Sequence, residues 1–112
     1  MGVSKYNVGR KFAVDNSDFP YIKLRELVEG RVYPVFGYYI SKDKGYGEGA
    51  VLITADYNVN IPPRYIKTFR EWDFDPEIIN LINDGKVGFS YTKGYSEKYH
   101  VDTYNITWHD VK

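Results

Sequence analysis

At 112 residues, with 43% hydrophobic and 27% charged residues, the chain has the size and composition of one globular domain, not of two domains or a disordered segment. It has no cysteine, which excludes disulfides, zinc–thiolate sites and thiol catalysis. The formal net charge is zero, which taken alone argues against a nucleic-acid partner.

The positions of the charged and aromatic residues along the chain are more informative than their total numbers. Five acids and no base lie from Glu71 to Asp84, so the rest of the chain carries +5, and one surface should attract anions while another does not. An ordinary solvated acidic helix is the alternative. The 12 Tyr, 6 Phe and 2 Trp exceed what a small core can bury, so several tyrosines should lie at a binding surface. The alternative explanation for the many tyrosines is the general preference of β-strands for this residue.

The first part of the chain predicts an arm followed by strands. Residues 1–19 are polar and lack sustained periodicity, which indicates a flexible N-terminal arm, and residues 20–112 are expected to form the single domain. After a short strand near residues 21–27, the first clear strand covers 31–41, where β-branched and aromatic residues dominate. Pro34 and Gly37 interrupt this strand, so we expect a bend or bulge at Gly37.

The remaining elements follow in a simple order. Residues 50–54 and 57–61 are predicted to form two further strands. Asp75-Pro76-Glu77 predicts the start of a helix, and Gly85 predicts its end. Strands are then expected over 86–93 and 99–108, joined as a hairpin by a turn. Three strands, a helical connection and a two-strand hairpin match a mainly β, OB-like five-stranded Greek-key barrel (β-β-β-α-β-β). A generic α+β sandwich has the same element order.

Two predicted loops resemble each other. Residues 42–47 and 93–98 each present a tyrosine beside glycine with flanking lysines. In an OB fold these loops border the groove that holds oligonucleotides, where lysines neutralise phosphates and tyrosine rings stack on bases. Two ordinary surface turns are the alternative. The candidate nucleic-acid-binding residues are Tyr39 (or its neighbour Tyr38), Lys42, Lys44, Tyr46, Tyr57, Tyr91, Lys93, Tyr95 and Lys98.

Enzymatic interpretations have less support. His100 and His109 lie nine residues apart in one predicted strand, so they should point to opposite faces and not share a metal. Asp75 and Glu77 are accounted for by the helix start. We therefore expect no catalytic site, no metal and no cofactor. The absence of cysteine, of a signal peptide and of a membrane span favours a cytoplasmic protein.

The chain resembles the small single-stranded DNA-binding proteins of phages and mobile elements of Gram-positive bacteria. The likeness is one of pattern over residues 21–110, carried by segments such as Gly30-Arg31-Val32-Tyr33-Pro34-Val35 and Ile82-Asn83-Asp84-Gly85-Lys86-Val87-Gly88-Phe89. It implies an OB-like fold, sequence-independent binding, and a role in replication or recombination within the host cytoplasm. A homodimer and contacts with replication or recombination proteins are compatible with it. The family's flexible acidic tail has no counterpart at His109-Asp110-Val111-Lys112, which puts tail-mediated recruitment in doubt.

A protein–protein module or phage-encoded inhibitor, acting through an acidic and tyrosine-rich surface, is the second interpretation. The location of the charges separates the two. Lysines and tyrosines on one face favour nucleic acid. Acids and tyrosines together favour a protein partner.

Overall fold

The computed structural model describes residues 12–43 and 47–111. The strands in this part of the chain are β1 Tyr21–Lys23, β2 Tyr33–Pro34, β3 Gly37–Asp43, β4 Gly47–Ile53, β5 Asn58–Ile61, β6 Val87–Ser96 and β7 Val101–Asp110. The α-helices are α1 Ile66–Trp72 and α2 Pro76–Asn83, and 3₁₀ turns lie at Leu24–Glu26 and Pro63–Tyr65. Neither helix of the described chain has the length and apolarity that a membrane crossing requires.

The strands form two sheets. The four-stranded sheet has the order β1-β5-β4-β3, in which β1 runs parallel to β5 and the other pairs are antiparallel. The three-stranded sheet has the order β2-β6-β7 and is antiparallel throughout. The expected mainly β architecture with a helical connection is therefore confirmed.

The first predicted strand is divided between these sheets. The Val35 N–H donates to the Val87 carbonyl across 2.8 Å, whereas the next N–H, that of Phe36, donates to the Ile53 carbonyl of the other sheet, also across 2.8 Å. A Cβ at Gly37 would lie 3.0 Å from side-chain atoms of both Ile53 and Phe12, so any larger residue there would force these side chains to shift. The chain therefore passes from one sheet to the other between Val35 and Phe36, and β3 begins at Gly37, so the interruption expected in this strand lies just before Gly37.

Residues 12–19 pack against the domain. Phe12 is 8% exposed, and its ring meets the Tyr38 ring edge-on with centroids 4.9 Å apart. Asn16 Nδ2 donates to Asn58 Oδ1 at 2.6 Å, and Asn58 Nδ2 donates back to the Phe19 carbonyl at 3.0 Å. For residues 12–19 the structure thus differs from the flexible arm expected over 1–19, because Phe12 fills the space that Gly37 leaves. Residues 1–11 lie outside the described part.

Helix α1 lies between the two sheets and joins their inner faces. The Phe69 ring stacks on Tyr38 of β3 with centroids 4.6 Å apart, and Trp72 meets Trp108 of β7 at 4.8 Å. Phe69, Phe89, Leu52 and Ile82 are among the largest side chains that are fully buried. Burying each such side chain contributes about 1.5–3 kcal/mol, so this aromatic and aliphatic cluster holds the sheets together.

Helix α2 begins and ends where the sequence predicts. Asp75 Oδ1 accepts hydrogen bonds from the N–H groups of Glu77 and Ile78 at 3.1 and 3.4 Å, and Pro76 occupies the first helical position. Gly85, with φ of 72°, terminates the helix in the left-handed region.

The C-terminal hairpin is longer than predicted. β6 and β7 pair continuously from Val87 opposite Asp110 to Ser96 opposite Val101, and the turn occupies residues 97–100 instead of 93–98. Gly94 is a strand residue paired with Thr103, and a Cβ at this position would lie 2.8 Å from Thr103 Oγ1. Lys93 and Tyr95 therefore lie on a strand and not in a loop.

Among the described residues, no backbone hydrogen bonds pair β5 with β7. The two sheets of this part of the chain therefore do not close into a barrel. Two side chains of the 3₁₀ turn before α1 contact the β7 edge instead. The Ile106 N–H donates to Tyr65 Oη at 2.7 Å, and Arg64 donates to the Tyr104 carbonyl and, at 2.9 Å, to Asn105 Oδ1.

Candidate nucleic-acid interface

The four-stranded sheet has a second face that points away from the core. Tyr38, Leu52 and Val59 are buried on the inner face, so alternation along the strands places their neighbours on the opposite side. We call this side the outer face. The strand register sets four of its residues in one row across the sheet: Tyr39, Val51, Asn60 and Lys23.

Two tyrosines from the edge strands meet across the outer face. The hydroxyls of Tyr21 on β1 and Tyr39 on β3 hydrogen-bond to each other, although two strands separate their backbones. Val51 beneath them is 0% exposed. Burial, followed by the bond with the Tyr21 hydroxyl, raises the pKa of Tyr39. Tyr21 itself is 61% exposed and presents an aromatic surface to solvent.

The hairpin carries a second aromatic and basic surface. Lys93 and Tyr95 lie on the hairpin face that continues the core face beyond Tyr91, opposite Tyr104 and Asp102 respectively. Tyr95 is 60% exposed, and its hydroxyl lies 3.5 Å from His100 Nδ1. Lys93 Nζ lies 3.4 Å from Asp102 Oδ2, with both side chains about half exposed. An exposed pair of this kind contributes at most about 1 kcal/mol, so Lys93 can exchange its partner for a phosphate at small cost.

A small cleft of about 220 Å³ connects the two surfaces. Its lining includes Lys23 and Asn60 from the outer face, Arg25 from the 3₁₀ turn after β1, and Tyr104 from the hairpin. Tyr104 shares a hairpin face with Lys93 and Tyr95. A continuous path therefore runs from the Tyr21–Tyr39 bridge past Lys23 to the hairpin.

Other predicted residues lie at the margins of this path or outside the described part. Lys42 is exposed near the end of β3, and Lys98 lies in the hairpin turn with its Nζ 5.3 Å from the Tyr99 ring centroid. Tyr57 is 39% exposed in the turn between β4 and β5, at the end of β4 away from Gly47. Lys44 and Tyr46 are not among the described residues, so their role stays a prediction. The expected second loop over 93–98 is wrong for residues 93–96, which belong to β6.

The prediction that Tyr91 binds nucleic acid is wrong. It is 5% exposed, and its hydroxyl donates to the Leu27 carbonyl at 2.7 Å, so its ring belongs to the core and cannot stack on a base. The small residues opposite it on β6 leave room for other protein groups. A Cβ at Gly88 would lie 2.8 Å from Val32 and Val111, and Ser90 Oγ lies 2.7 Å from His109 Nε2.

The acidic segment lies behind the sheet. Asp73 Oδ1 accepts a hydrogen bond from the Tyr38 hydroxyl at 2.7 Å, on the inner side where α1 packs. Phe74, 89% exposed, and the exposed Asp75 and Glu77 follow in the same segment. Asp73 and its neighbours Asp75 and Glu77 therefore lie on the opposite side of the four-stranded sheet from Tyr21 and Tyr39.

The sequence contained a signal for some interface residues that the prediction missed. Tyr21 and Lys23 alternate with the half-buried Ile22, and Asn60 alternates with the buried Val59 and Ile61. Period-two alternation in these short segments places the polar members on one exposed face. Arg25 and Tyr104 had no such signal, because a contact between distant parts of the chain brings them together.

Comparison of the chain with protein-family models, curated proteins and solved structures finds no significant match.

Proposed function

We propose that this chain binds single-stranded nucleic acid, DNA in preference to RNA, without reading its sequence and without catalysis. The strand would lie along the outer face and the hairpin. Exposed tyrosine rings would stack on bases at about 1–3 kcal/mol each, whatever the base, and lysines would neutralise phosphates. The preference for DNA, and a role in replication or recombination, rest on the resemblance to phage and mobile-element proteins.

The observation that carries the proposal is the position of the acidic segment relative to the exposed tyrosines. The outer face and hairpin combine exposed aromatic rings with Lys23, Arg25 and Lys93. Three exposed acids, Glu26, Glu29 and Asp102, lie beside these cations. The acidic segment around Asp73 lies behind the sheet. A polyanion would meet cations on the first surface and repulsion on the second. A protein partner recognised by the acidic segment of residues 71–84 together with Tyr21 and Tyr95 would need both on one surface, so the position of this segment favours nucleic acid.

The architecture supports an OB-like interpretation. A strand divided between two sheets, then β4 and β5, a helical connection and a hairpin follow the Greek-key order, and β2 pairs antiparallel with β6 as this topology requires. OB folds bind oligonucleotides on the face of their second and third strands, which correspond here to β4 and β5. The Tyr21–Tyr39 bridge lies across that face.

Paired lysine variants test the proposal. Lys23→Gln removes a charge from the outer face, and Lys67→Gln removes the charge of an exposed lysine on α1, on the other side of the sheet. With labelled oligo-dT, we expect Lys23→Gln to lower the magnitude of the slope of log K against log salt by about 0.7, the value for one phosphate contact. Lys67→Gln should leave the slope unchanged. Equal slopes in both variants would contradict the proposed surface.

A further inference from the structure

A larger cleft adjoins the Tyr21–Tyr39 bridge. Its volume is about 410 Å³, within the range of pockets that hold small organic ligands. The N-terminal segment contributes Val14 and Ser17 to its lining, and the four-stranded sheet contributes Tyr39 and Ile53. The cleft therefore exists because residues 12–19 pack over one end of the outer face.

The chemistry of the lining restricts what the cleft can hold. None of the described residues that line it carries a formal charge, so it offers nothing to neutralise a phosphate. Its walls combine tyrosine rings, aliphatic side chains, and the side chains of Asn16 and Ser17. Apolar and aromatic walls with a few polar groups suit a neutral, planar heterocycle with hydrogen-bonding edges.

The cleft also lies on the path that a single strand of nucleic acid bound to the outer face would follow. Lys23 is two residues from Tyr21 on the same face of β1, close enough to hold a phosphate while the attached base turns away from it. We propose that this cleft takes up one nucleobase of the bound strand and so fixes the position of the strand on the protein. The inference rests on the proposed function and adds a specific subsite to it.

Ser17 provides a direct test. It is exposed and lines the cleft, so Ser17→Trp should fill the space without disturbing the core, while Ser17→Ala leaves the cleft open and serves as the matched control. The probe is the shortest oligo-dT that binds the parent at full affinity, together with a set in which each base in turn is removed to leave an abasic site. Melting temperatures of both variants should equal that of the parent.

In the parent and in Ser17→Ala, one abasic position should weaken binding by roughly 5- to 150-fold, the loss of one stacked base. Ser17→Trp should bind the intact oligonucleotide more weakly by a similar factor and become insensitive to that abasic position. Unchanged affinity in Ser17→Trp, or weaker binding with the same abasic profile as Ser17→Ala, would overturn the inference and leave the proposed function intact.

A measurement on the parent protein is independent of any variant. The side-chain amide groups of Asn16 and Asn58 line the cleft, so their NMR signals should shift when oligo-dT binds. Binding without such shifts would also overturn the inference. If the parent bound no single strand at all, both the inference and the proposed function would fall.

Discussion

Tyr95→Ala should weaken binding of single-stranded DNA while leaving the fold intact. The ring is 60% exposed, and its hydroxyl lies 3.5 Å from His100 Nδ1, at the outer limit of a hydrogen bond. Removal of an exposed side chain with no stronger contact should change the free energy of unfolding by no more than about 0.5 kcal/mol. The effect on binding is then separable from an effect on stability.

The size of the binding effect follows from the role we assign to the ring. One stacked base is worth about 1–3 kcal/mol, so the dissociation constant for oligo-dT should rise by roughly 5- to 150-fold. The slope of log K against log salt should not change, because no charge is removed. Fluorescence anisotropy of labelled oligo-dT at several salt concentrations measures both quantities.

Phe74→Ala is the matched control. Phe74 is 89% exposed, also aromatic, and lies in the acidic segment behind the sheet. We expect it to bind oligo-dT as the parent does. The reasoning is refuted if Tyr95→Ala binds like the parent, or if Phe74→Ala loses as much affinity as Tyr95→Ala.

Two further predictions concern charge and pH. Asp102→Asn removes the carboxylate 3.4 Å from Lys93 Nζ, so it should tighten oligo-dT binding at low salt by up to about fivefold; weaker or unchanged binding would count against a phosphate contact at Lys93. Burial, then the bond to Asp73, raises the pKa of Tyr38 in the folded state, so this residue's contribution to stability is present below about pH 10 and is lost as the pH rises above it. Urea unfolding between pH 9 and 11 should therefore show a smaller loss of stability for Tyr38→Phe than for the parent, and equal losses would show that Tyr38 does not govern the alkaline limit.

Local signals explain what the sequence predicted well. The start of α2 depends on Asp75 and Pro76 and its end on Gly85, all within one helical turn of the boundary they define. β4 and β5 were found because apolar β-branched residues cluster there between turn residues. The bend near Gly37 was likewise visible, since proline and glycine interrupt an otherwise strong strand.

Contacts between distant residues explain what it predicted poorly. Gly94 was taken as a turn residue, although it pairs with Thr103 within β6, where a Cβ would lie 2.8 Å from Thr103 Oγ1. Pro34 and Gly37 indicated an interruption of the strand. Nothing in the sequence indicated that Phe12 would pack against Gly37, in the space that a larger side chain would occupy. The parallel pairing of β1 with β5 joins segments more than 30 residues apart and has no local signal.

The candidate site was partly inconsistent with the predicted fold. Val87, Phe89 and Tyr91 were expected to share one face of a strand, and burial of that face also buries Tyr91. Alternation allows only one of the adjacent Tyr38 and Tyr39 to face the core, and the burial of Tyr38 in the structure leaves Tyr39 on the outer face. Strand alternation thus decides which tyrosines are available for stacking, whereas composition alone does not.

A salt titration of the parent protein with labelled oligo-dT, beside a duplex of the same length, measures whether the protein binds single strands in preference to duplexes. We expect binding of the single strand with a linear loss of log K against log salt, at about 0.7 per phosphate contact. We also expect much weaker binding of the duplex, since paired bases cannot offer their faces to Tyr21 and Tyr95. Equal affinity for both, or no binding of the single strand at low salt, would contradict the proposed function.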